Sequence, residues 1–434
     1  MNARAQRVFP LVLAVGLVGA AIGPVDAASP KTVRISVRSN ETEGDLLSEG
    51  YIDNLSNDAN IAAFKSDSSL VAGDSNGFGD IYVRNRTAGT TRRVSIASDG
   101  TEGNGLSYSP AISGNGRFVA FISAASTLVS DDGNDVDDVF VHDLQTERTR
   151  RVSIASNGEE GSESVGDQPD LSRSGRFVVF HTRSQLSPAD DNADHDVYVR
   201  DRKTQSTRLL SVTSDGDPVN DGDSMYPQIS EEGRFVVFQS DSEDLVAGNN
   251  GVTDIFLHDR RTGETRIVST RPNGRLAAAA SSYPQISGDG TIVTFDSGAQ
   301  LVPGDNNAFR DIYMRNMDTG QTRLVTRDRN GGPTNEFSEY SSISPNGRMI
   351  GFYSQATDLV ADDPPSAYSA YVYDRKTKRI VMLDRSSSGA PGDGLSYVTG
   401  VSGNGRFVLI STESALVGTD DNDVSDIYRR GPLY

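Results

Sequence analysis

The sequence of 434 residues contains no cysteine, no tryptophan and only four histidines. Without cysteine the chain cannot form disulfides, carry a lipid on a cysteine, or hold zinc through thiolates. Basic residues are also scarce, 41 against 60 acidic ones, which gives a formal net charge of −19 at pH 7. Because nucleic acids are polyanions, a field of this sign argues against DNA or RNA as a partner, and we expect neither.

The N-terminal residues 1–27 have the pattern of a cleaved signal peptide. Two arginines precede a mostly apolar stretch at residues 8–22, and small residues lead up to Ala27. We expect cleavage after Ala27, no membrane insertion of the mature chain, and an exported protein that is extracellular, at the cell surface or periplasmic. An uncleaved anchor is the alternative, because the apolar stretch is on the long side for a signal peptide.

A ten-residue phrase such as ISGNGRFVAF recurs seven times along the chain. Its copies end at Phe64, Phe121, Phe180, Phe238, Phe295, Phe352 and Ile410. The steps between these ends are 57, 59, 58, 57, 57 and 58 residues. So constant a period indicates one supersecondary unit repeated seven times rather than several unrelated domains.

Each repeat has the hydrophobic pattern of strands, with short runs of Val, Ile, Phe and Tyr between Gly, Asn, Asp and Ser. In the second repeat the pattern predicts strands at residues 110–113, 117–123, 138–143 and 150–155. Four antiparallel strands in about 57 residues are typical of a β-propeller blade. The sequence therefore predicts an all-β protein with seven blades over residues 28–434.

The two ends of the chain are expected to complete one blade together. Residues 33–44, VRISVRSNETEG, match the fourth strand and following loop of the first full repeat, RRVSIASDGTEG at residues 92–103. The C-terminus stops shortly after SDIYRR, a third strand without its fourth. Pairing of the N-terminal strand with the C-terminal blade would close the ring and remove its exposed sheet edges.

The phrases ISPNGRMIGFYS and DIYVRNRTAGTTRRVS resemble the repeats of TolB-like (WD-repeat-like) propeller proteins, over essentially the whole mature chain. The resemblance implies the propeller fold and says little about function. TolB itself has an α/β domain before a six-bladed propeller, so a role in the Tol system is not implied by seven repeats. TolB-like folds also include oligogalacturonate lyases, which use a metal and histidines in the channel region.

A polar motif, DxNxxxD, occurs in five of the seven repeats. Its residues are Asp74, Asn76, Asp80, Asp132, Asn134, Asp138, Asp190, Asn192, Asp196, Asp305, Asn307, Asp311, Asp420, Asn422 and Asp426. Oxygen ligands in a tight loop are suited to Ca²⁺, which makes calcium the candidate cofactor. The alternative is that these side chains bond their own backbone and shape the turn into the third strand.

Two series of aromatic residues follow the repeat. One lies on the third strands and is expected to be core: Tyr82, Phe140, Tyr198, Phe256, Tyr313, Tyr371 and Tyr428. The other leads into the first strands, which are innermost in such propellers, so it would surround one mouth of the channel. These candidate ligand-binding residues are Tyr51, Tyr108, Tyr226, Tyr283, Tyr340 and Tyr397. Wedging between blades is the structural alternative.

No catalytic residues are predicted. The histidines, His142, His181, His195 and His258, show no cluster in the sequence, and we expect them at the surface. These patterns favour a monomeric, exported, non-catalytic binding or scaffold protein that recognises protein or glycan through the propeller surface or channel mouth. The alternative is a carbohydrate-active enzyme working in the channel, similar to oligogalacturonate lyases.

Overall fold

The computed structural model describes residues 30–434 except residues 220, 365–367 and 387. The predicted signal peptide, residues 1–27, lies outside the described residues. Every regular element in the described part is a β-strand. Among these residues no helix has the length and apolar character needed to cross a lipid bilayer.

The strands form seven antiparallel sheets of four, and within six of these sheets they pair in chain order from the channel outwards. The predicted all-β, seven-bladed propeller is therefore confirmed. Blade 1 consists of β2 (Ser48–Glu49), β3 (Ile61–Ser66), β4 (Asp80–Asn85) and β5 (Thr90–Arg93). Blade 2 consists of β6 (Ser107–Ile112), β7 (Phe118–Ser123), β8 (Asp138–Asp143) and β9 (Arg148–Arg151).

The next four blades repeat this order. Blade 3 consists of β10 (Asp170–Leu171), β11 (Phe177–Thr182), β12 (Asp196–Asp201) and β13 (Ser206–Leu209). Blade 4 consists of β14 (Ser224–Ile229), β15 (Phe235–Ser240), β16 (Asp254–Asp259) and β17 (Thr265–Ile267). Blade 5 consists of β18 (Ser281–Ile286), β19 (Ile292–Ser297), β20 (Asp311–Asn316) and β21 (Thr322–Leu324). Blade 6 consists of β22 (Ser338–Ile343), β23 (Met349–Ser354), β24 (Ser369–Asp374) and β25 (Arg379–Met382).

Blade 7 joins the two ends of the chain. It consists of β26 (Ser396–Val401), β27 (Val408–Thr412), β28 (Asp426–Gly431) and the N-terminal strand β1 (Lys31–Arg34). Strand β1 pairs antiparallel with β28, from Lys31 opposite Gly431 to Arg34 opposite Tyr428. The predicted closure of the ring is confirmed.

Strand boundaries predicted for the second repeat were partly right. Strand β8 has the predicted bounds, but β6 begins three residues earlier than predicted, at Ser107, because pairing with β7 starts before a register shift. Strand β9 ends at Arg151 instead of residue 155. After one more backbone bond, from Val152 N–H to the Val139 carbonyl, the chain turns back on itself through a bridge between Ile154 and Glu160.

Aromatic pairs fill the space within and between the blades. In six blades the phenylalanine that ends the repeated phrase stacks on the third-strand aromatic, with ring centroids 5.7 to 6.1 Å apart. All seven third-strand aromatics are at most 1% exposed, which confirms them as core. Burying such rings is worth roughly 1.5–3 kcal/mol each, so this repeated pair is a main source of stability.

The turns between first and second strands tie the blades together at one end of the channel. Backbone N–H groups of these turns donate to the carbonyls of the next blade's turn, as Arg173 does to Glu231 and Glu231 to Gly288. The series is interrupted at Pro345, which has no N–H to donate. This end of the channel, lined by Asp53, Asp170 and the turn residues, is therefore narrow and fixed.

Candidate functional site

The opposite end of the channel is the mouth where the first strands begin. Antiparallel pairing brings the start of each first strand beside the end of the second and the start of the third, as Ser224, Ser240 and Asp254 show in blade 4. The DxNxxxD loops, which join second and third strands, therefore surround the same face as the candidate tyrosines. Neighbouring first strands contact one another around the channel.

A β-bulge places three of the tyrosines. The pairing of first and second strands shifts register after Met225, Ser282 and Glu339, directly before Tyr226, Tyr283 and Tyr340. These tyrosines have φ angles of 53°, 51° and 48°, a left-handed conformation that bulky residues rarely adopt. They lie within the first strands, not ahead of them as expected, because pairing resumes on the N-terminal side of the bulge. Backbone strain of this kind is concentrated at functional sites.

Rings from five blades form one continuous series, which we call the aromatic arc. Tyr226 and Tyr283 have ring centroids 5.0 Å apart, and Tyr283 and Tyr340 are 4.1 Å apart. Tyr353 of strand β23 extends the series, at 5.5 Å from Tyr340 and 4.9 Å from Tyr397. At the other end His181 lies 5.4 Å from Tyr226 and 5.3 Å from His195. The arc consists of His195, His181, Tyr226, Tyr283, Tyr340, Tyr353 and Tyr397.

Tyr51 and Tyr108 lie outside the arc, on a side of the mouth that carries carboxylates. The Tyr108 hydroxyl donates to Asp137 over 2.9 Å, and Ser109 donates to Asp167 over 3.1 Å. The negative charge of Asp167 also raises the pKa of both Tyr51 and Tyr108, after the larger effect of burial. We call Glu49, Asp67, Asp137 and Asp167 the acidic side. The predicted ring of tyrosines is thus an arc of aromatics facing an acidic side.

Two positions in each blade were missed by the sequence reasoning. The residue after the phenylalanine phrase is Lys65, Ile122, His181, Gln239, Asp296, Tyr353 or Ser411. The residue before the third strand is Gly79, Asp137, His195, Thr253, Arg310, Tyr368 or Ser425. In four blades these two residues contact each other: a histidine pair, a tyrosine pair, a serine pair and an ion pair. Their variation between otherwise similar repeats is the signal by which they could have been found.

The prediction that the histidines lie at the surface was wrong for three of the four, whereas His195 is half-buried. His142 and His258 are 0% and 6% exposed on their third strands, where each shares a hydrogen bond with a threonine of the fourth. His181, at the end of the arc, is 3% exposed, and burial lowers its pKa to about 3. For His142 and His258 the error arises because side chains along a third strand face the neighbouring strands and blades and not solvent.

Protonation at the mouth follows from burial and neighbouring charge. Burial raises the pKa of Tyr226 to about 12, and it also raises the pKa of Tyr283, Tyr340 and Tyr397. Burial raises the pKa of Asp296 to about 6, against the opposing effect of Arg310. At neutral pH the arc therefore presents uncharged rings and hydroxyl donors, which can stack on a ligand and bond to its oxygens.

The DxNxxxD side chains form a repeated network beside the mouth. The first aspartate accepts the hydroxyl of the third-strand tyrosine, as Asp74 does from Tyr82. The Asn76 amide donates over 3.0 Å to the last aspartate, Asp80, and to a carbonyl of the following loop. Asp80 also accepts the hydroxyl of Ser95, two residues after the fourth strand. These are the bonds expected if the motif shapes the turn into the third strand. Calcium binding by the five loops stays a prediction.

One group of three carboxylates in the described residues is close enough to share a metal ion: Glu43, Asp420 and Asp426. Here the guanidinium of Arg34 lies between them, with Nη1 3.5 Å from Asp420 and 3.2 Å from Asp426 and an ion pair to Glu43. A cation is thus already supplied by the chain at this position.

The chain is a seven-bladed propeller whose mouth carries a continuous series of aromatic rings. No protein-family model matches the sequence, and no curated protein matches it. Solved structures with the same fold include an oligogalacturonate lyase from Vibrio parahaemolyticus, 13% identical, with a TM-score of 0.56 and coverage of 94% of this chain and 98% of that one. An oligogalacturonate lyase in complex with manganese is 14% identical, with a TM-score of 0.53 and coverage of 93% and 98%.

TolB from Acinetobacter baumannii is also similar, at 14% identity and a TM-score of 0.42. That match covers 70% of this chain and 59% of the TolB chain, so it leaves a large part of TolB unmatched. The expected likeness to TolB-like propellers is confirmed as a likeness of fold. At such low identity none of these similarities extends to function.

Proposed function

We propose that this chain is an exported, non-catalytic recognition protein that binds a glycan at the mouth of the propeller channel. The observation that carries the proposal is the aromatic arc, in which neighbouring rings from several blades follow one another around one side of the channel mouth. Aromatic faces with hydroxyl groups at their rims suit the apolar faces and hydroxyls of sugar rings. Export rests on the predicted signal peptide.

The charge of the mouth favours a neutral or basic glycan over an acidic one. The acidic side has four carboxylates, against which Lys65 supplies one ammonium, paired to Glu49 and Asp67 at 3.1 and 3.2 Å. On the arc Arg310 pairs with Asp296 and lies 3.4 Å from Glu339, so its charge is balanced. A polyanionic ligand would meet repulsion here, whereas an uncharged or amino sugar would not.

The test is a panel of immobilised oligosaccharides that includes neutral, amino-sugar and galacturonate chains, followed by calorimetry on the best binder. Replacing Tyr283 and Tyr340 together with Ala should weaken that binding about 5- to 100-fold, since an aromatic contact is worth roughly 0.5–1.5 kcal/mol. Tyr434→Ala is the matched control, because Tyr434 is exposed beside the turns at the opposite end of the channel. Equal affinities of the double variant and the control would refute the proposal, as would binding of basic peptides alone.

A second candidate is a channel enzyme acting on galacturonate chains, as the structurally similar lyases do by name. The specific observation in its favour is the pair His181 and His195 at the mouth, whose Nδ1 atoms are buried and have no hydrogen-bond partner in the described part of the chain. Among the described residues, however, no third His, Asp or Glu joins the pair within ligand range, so it does not form a complete metal site.

The enzyme candidate is tested by ultraviolet absorbance of unsaturated uronate after incubation with oligogalacturonate and manganese. Activity that disappears in His181→Ala but persists in His258→Ala would establish it and displace the binding proposal. Absence of activity at saturating substrate, with glycan binding retained, would exclude it.

A further inference from the structure

An arginine accompanies the DxNxxxD carboxylates in three blades. In blade 2 the Nη1 atom of Arg151, the last residue of β9, lies 3.0 Å from Asp132 and 3.1 Å from Asp138, and its other Nη atom bonds Glu160 and the Asp131 carbonyl. Arg93 in blade 1 and Arg34 in blade 7 make the corresponding contacts. In each case the arginine reaches the Oδ2 atom of the last aspartate.

Blade 3 keeps the two aspartates and lacks the arginine. Leu209 ends strand β13, where Arg151 ends β9. The glutamate of the following loop is missing as well, since Pro218 stands where blade 2 has Glu160. Among the described residues no ion pair reaches Asp190 or Asp196, although the two side chains are only 5% and 2% exposed.

A free ligand atom points into the place of the missing guanidinium. Asp196 Oδ1 accepts the Ser211 hydroxyl, but Asp196 Oδ2 is buried and has no hydrogen-bond partner among the residues that the structure describes. This is the atom that receives the arginine in blades 1, 2 and 7. A buried carboxylate oxygen without a partner is strongly unfavourable, so an oxygen-binding cation is the natural occupant of this position.

We propose that the blade 3 loop binds one Ca²⁺ ion in the place that arginine fills in blades 1, 2 and 7. Asp190 and Asp196 supply carboxylate oxygens. The Ala189 carbonyl occupies the sequence position of the Asp131 carbonyl that Arg151 contacts, and water completes the coordination of a hard cation that takes six to eight oxygens.

The other blades do not meet the same conditions. In blade 5 Leu324 also replaces the arginine and Asp305 Oδ1 has no partner, but the positive charge of Arg327 acts on Asp305. In blade 4 no described residue bonds the Oδ2 atom of Asp254, but Asn249 takes the place of the first aspartate. The backbone N–H of Asn249 donates to the carbonyl of the residue three before it, as the first aspartate does in blade 3. The proposal is therefore confined to blade 3 and to a stoichiometry of one.

The experiment titrates the chelator-treated mature protein with CaCl₂ by calorimetry at pH 7.5. We expect one ion bound, and binding about tenfold or more weaker in Asp196→Asn, because ligand charge sets calcium affinity. Asp138→Asn is the matched control at the same position of blade 2, where Arg151 occupies the site, and it should leave calcium binding unchanged.

Leu209→Arg tests the replacement directly. If arginine and calcium are alternatives, this variant should lose calcium binding and should melt in chelator at a temperature no lower than that of the calcium-bound wild type. Terbium luminescence gives a second readout, because the chain has no tryptophan and the Tyr198 hydroxyl bonds Asp190 directly, so Tyr198 would sensitise the ion. Absence of binding in both assays overturns the proposal, as does binding that survives in Asp196→Asn and Leu209→Arg.

Discussion

Two carboxyl groups at the narrow end of the channel predict a specific dependence of stability on pH. Asp53 and Asp170 line the same constriction. Burial raises the pKa of Asp53 from 3.8 to about 6, and burial together with the charge of Asp53 raises the pKa of Asp170. Because both folded-state values lie above the unfolded value, the neutral forms are favoured in the fold. Their stabilising effect is complete at low pH and is lost as the pH rises through the folded pKa.

The magnitude follows from the shift. One pKa unit corresponds to about 1.4 kcal/mol. Raising the pKa of Asp53 from 3.8 to about 6 therefore lowers the free energy of unfolding by about 3 kcal/mol at a pH where the group is ionised in both the folded and the unfolded state. About 1.0 kcal/mol of this is lost between pH 5 and pH 6, and about 1.4 kcal/mol between pH 5 and pH 7.5. Asp53→Asn removes the ionisation of this carboxyl. It also removes the negative charge that raises the pKa of Asp170, so for both reasons the stability of the variant should fall less than that of wild type as the pH rises.

The assay is urea unfolding of wild type and Asp53→Asn at pH 5.0, 6.0 and 7.5. The free energy of unfolding of the variant, relative to wild type, should increase by about 1.4 kcal/mol or more from pH 5.0 to 7.5. Buried carboxyls other than Asp53 and Asp170 contribute equally to both proteins and cancel in the difference. Asp215→Asn, at an exposed loop position, should show no such increase. A difference between Asp53→Asn and wild type that is constant across pH would refute the reasoning.

Three further substitutions test the repeated network. Arg151→Leu should destabilise chelator-treated protein by about 3–5 kcal/mol in urea unfolding, because it leaves buried carboxylates without a counter-charge, whereas Arg150→Leu on the exposed side should have little effect. Tyr82→Phe should cost about 0.5–3 kcal/mol, since it removes only the hydroxyl bonded to Asp74. Gly175→Ala should lower the melting temperature far more than Gly158→Ala, because both have positive φ but only at Gly175 would a Cβ lie 2.2 Å from the Phe118 ring.

The fold was predictable because its information is repeated. A constant period and a repeated phrase predict the number of blades, and the matching ends predict the closure, without any knowledge of long-range contacts. The candidate tyrosines were predictable as a series for the same reason. Their division into an arc and an acidic side was not, because it depends on Tyr353 and His181, which occur once each at positions that differ from blade to blade.

The arginines show a signal that the sequence contains and that reasoning by motif did not use. Arg34, Arg93 and Arg151 each precede a glutamate nine residues later, and repeats without the arginine lack that glutamate. Reading DxNxxxD alone treats all five loops as equivalent calcium candidates. The guanidinium lies between the carboxylates only after the fourth strand folds beside the third, so the distinction between loops depends on tertiary structure.

Internal repeats also separate residues that maintain the fold from residues that are free to serve a ligand. In six blades an aspartate opens the third strand and accepts a hydroxyl from the residue two positions after the fourth strand, but in blade 6 the two are exchanged, with Ser369 on β24 and Asp384 after β25. Burial raises the pKa of Asp384 to about 6, and the nearby hydroxyls of Ser396 and Ser369 oppose this shift, so Ser369 and Asp384 remain neighbours. A pair that survives such an exchange is required by the blade itself.

The two variable positions at the mouth follow a different rule. Their contacts are a histidine pair in blade 3, an ion pair in blade 5 and a tyrosine pair in blade 6, so no single interaction is kept from blade to blade. Under the proposed function, these differences set the shape and chemistry of the mouth blade by blade, which is why we expect recognition there and not at the repeated loops.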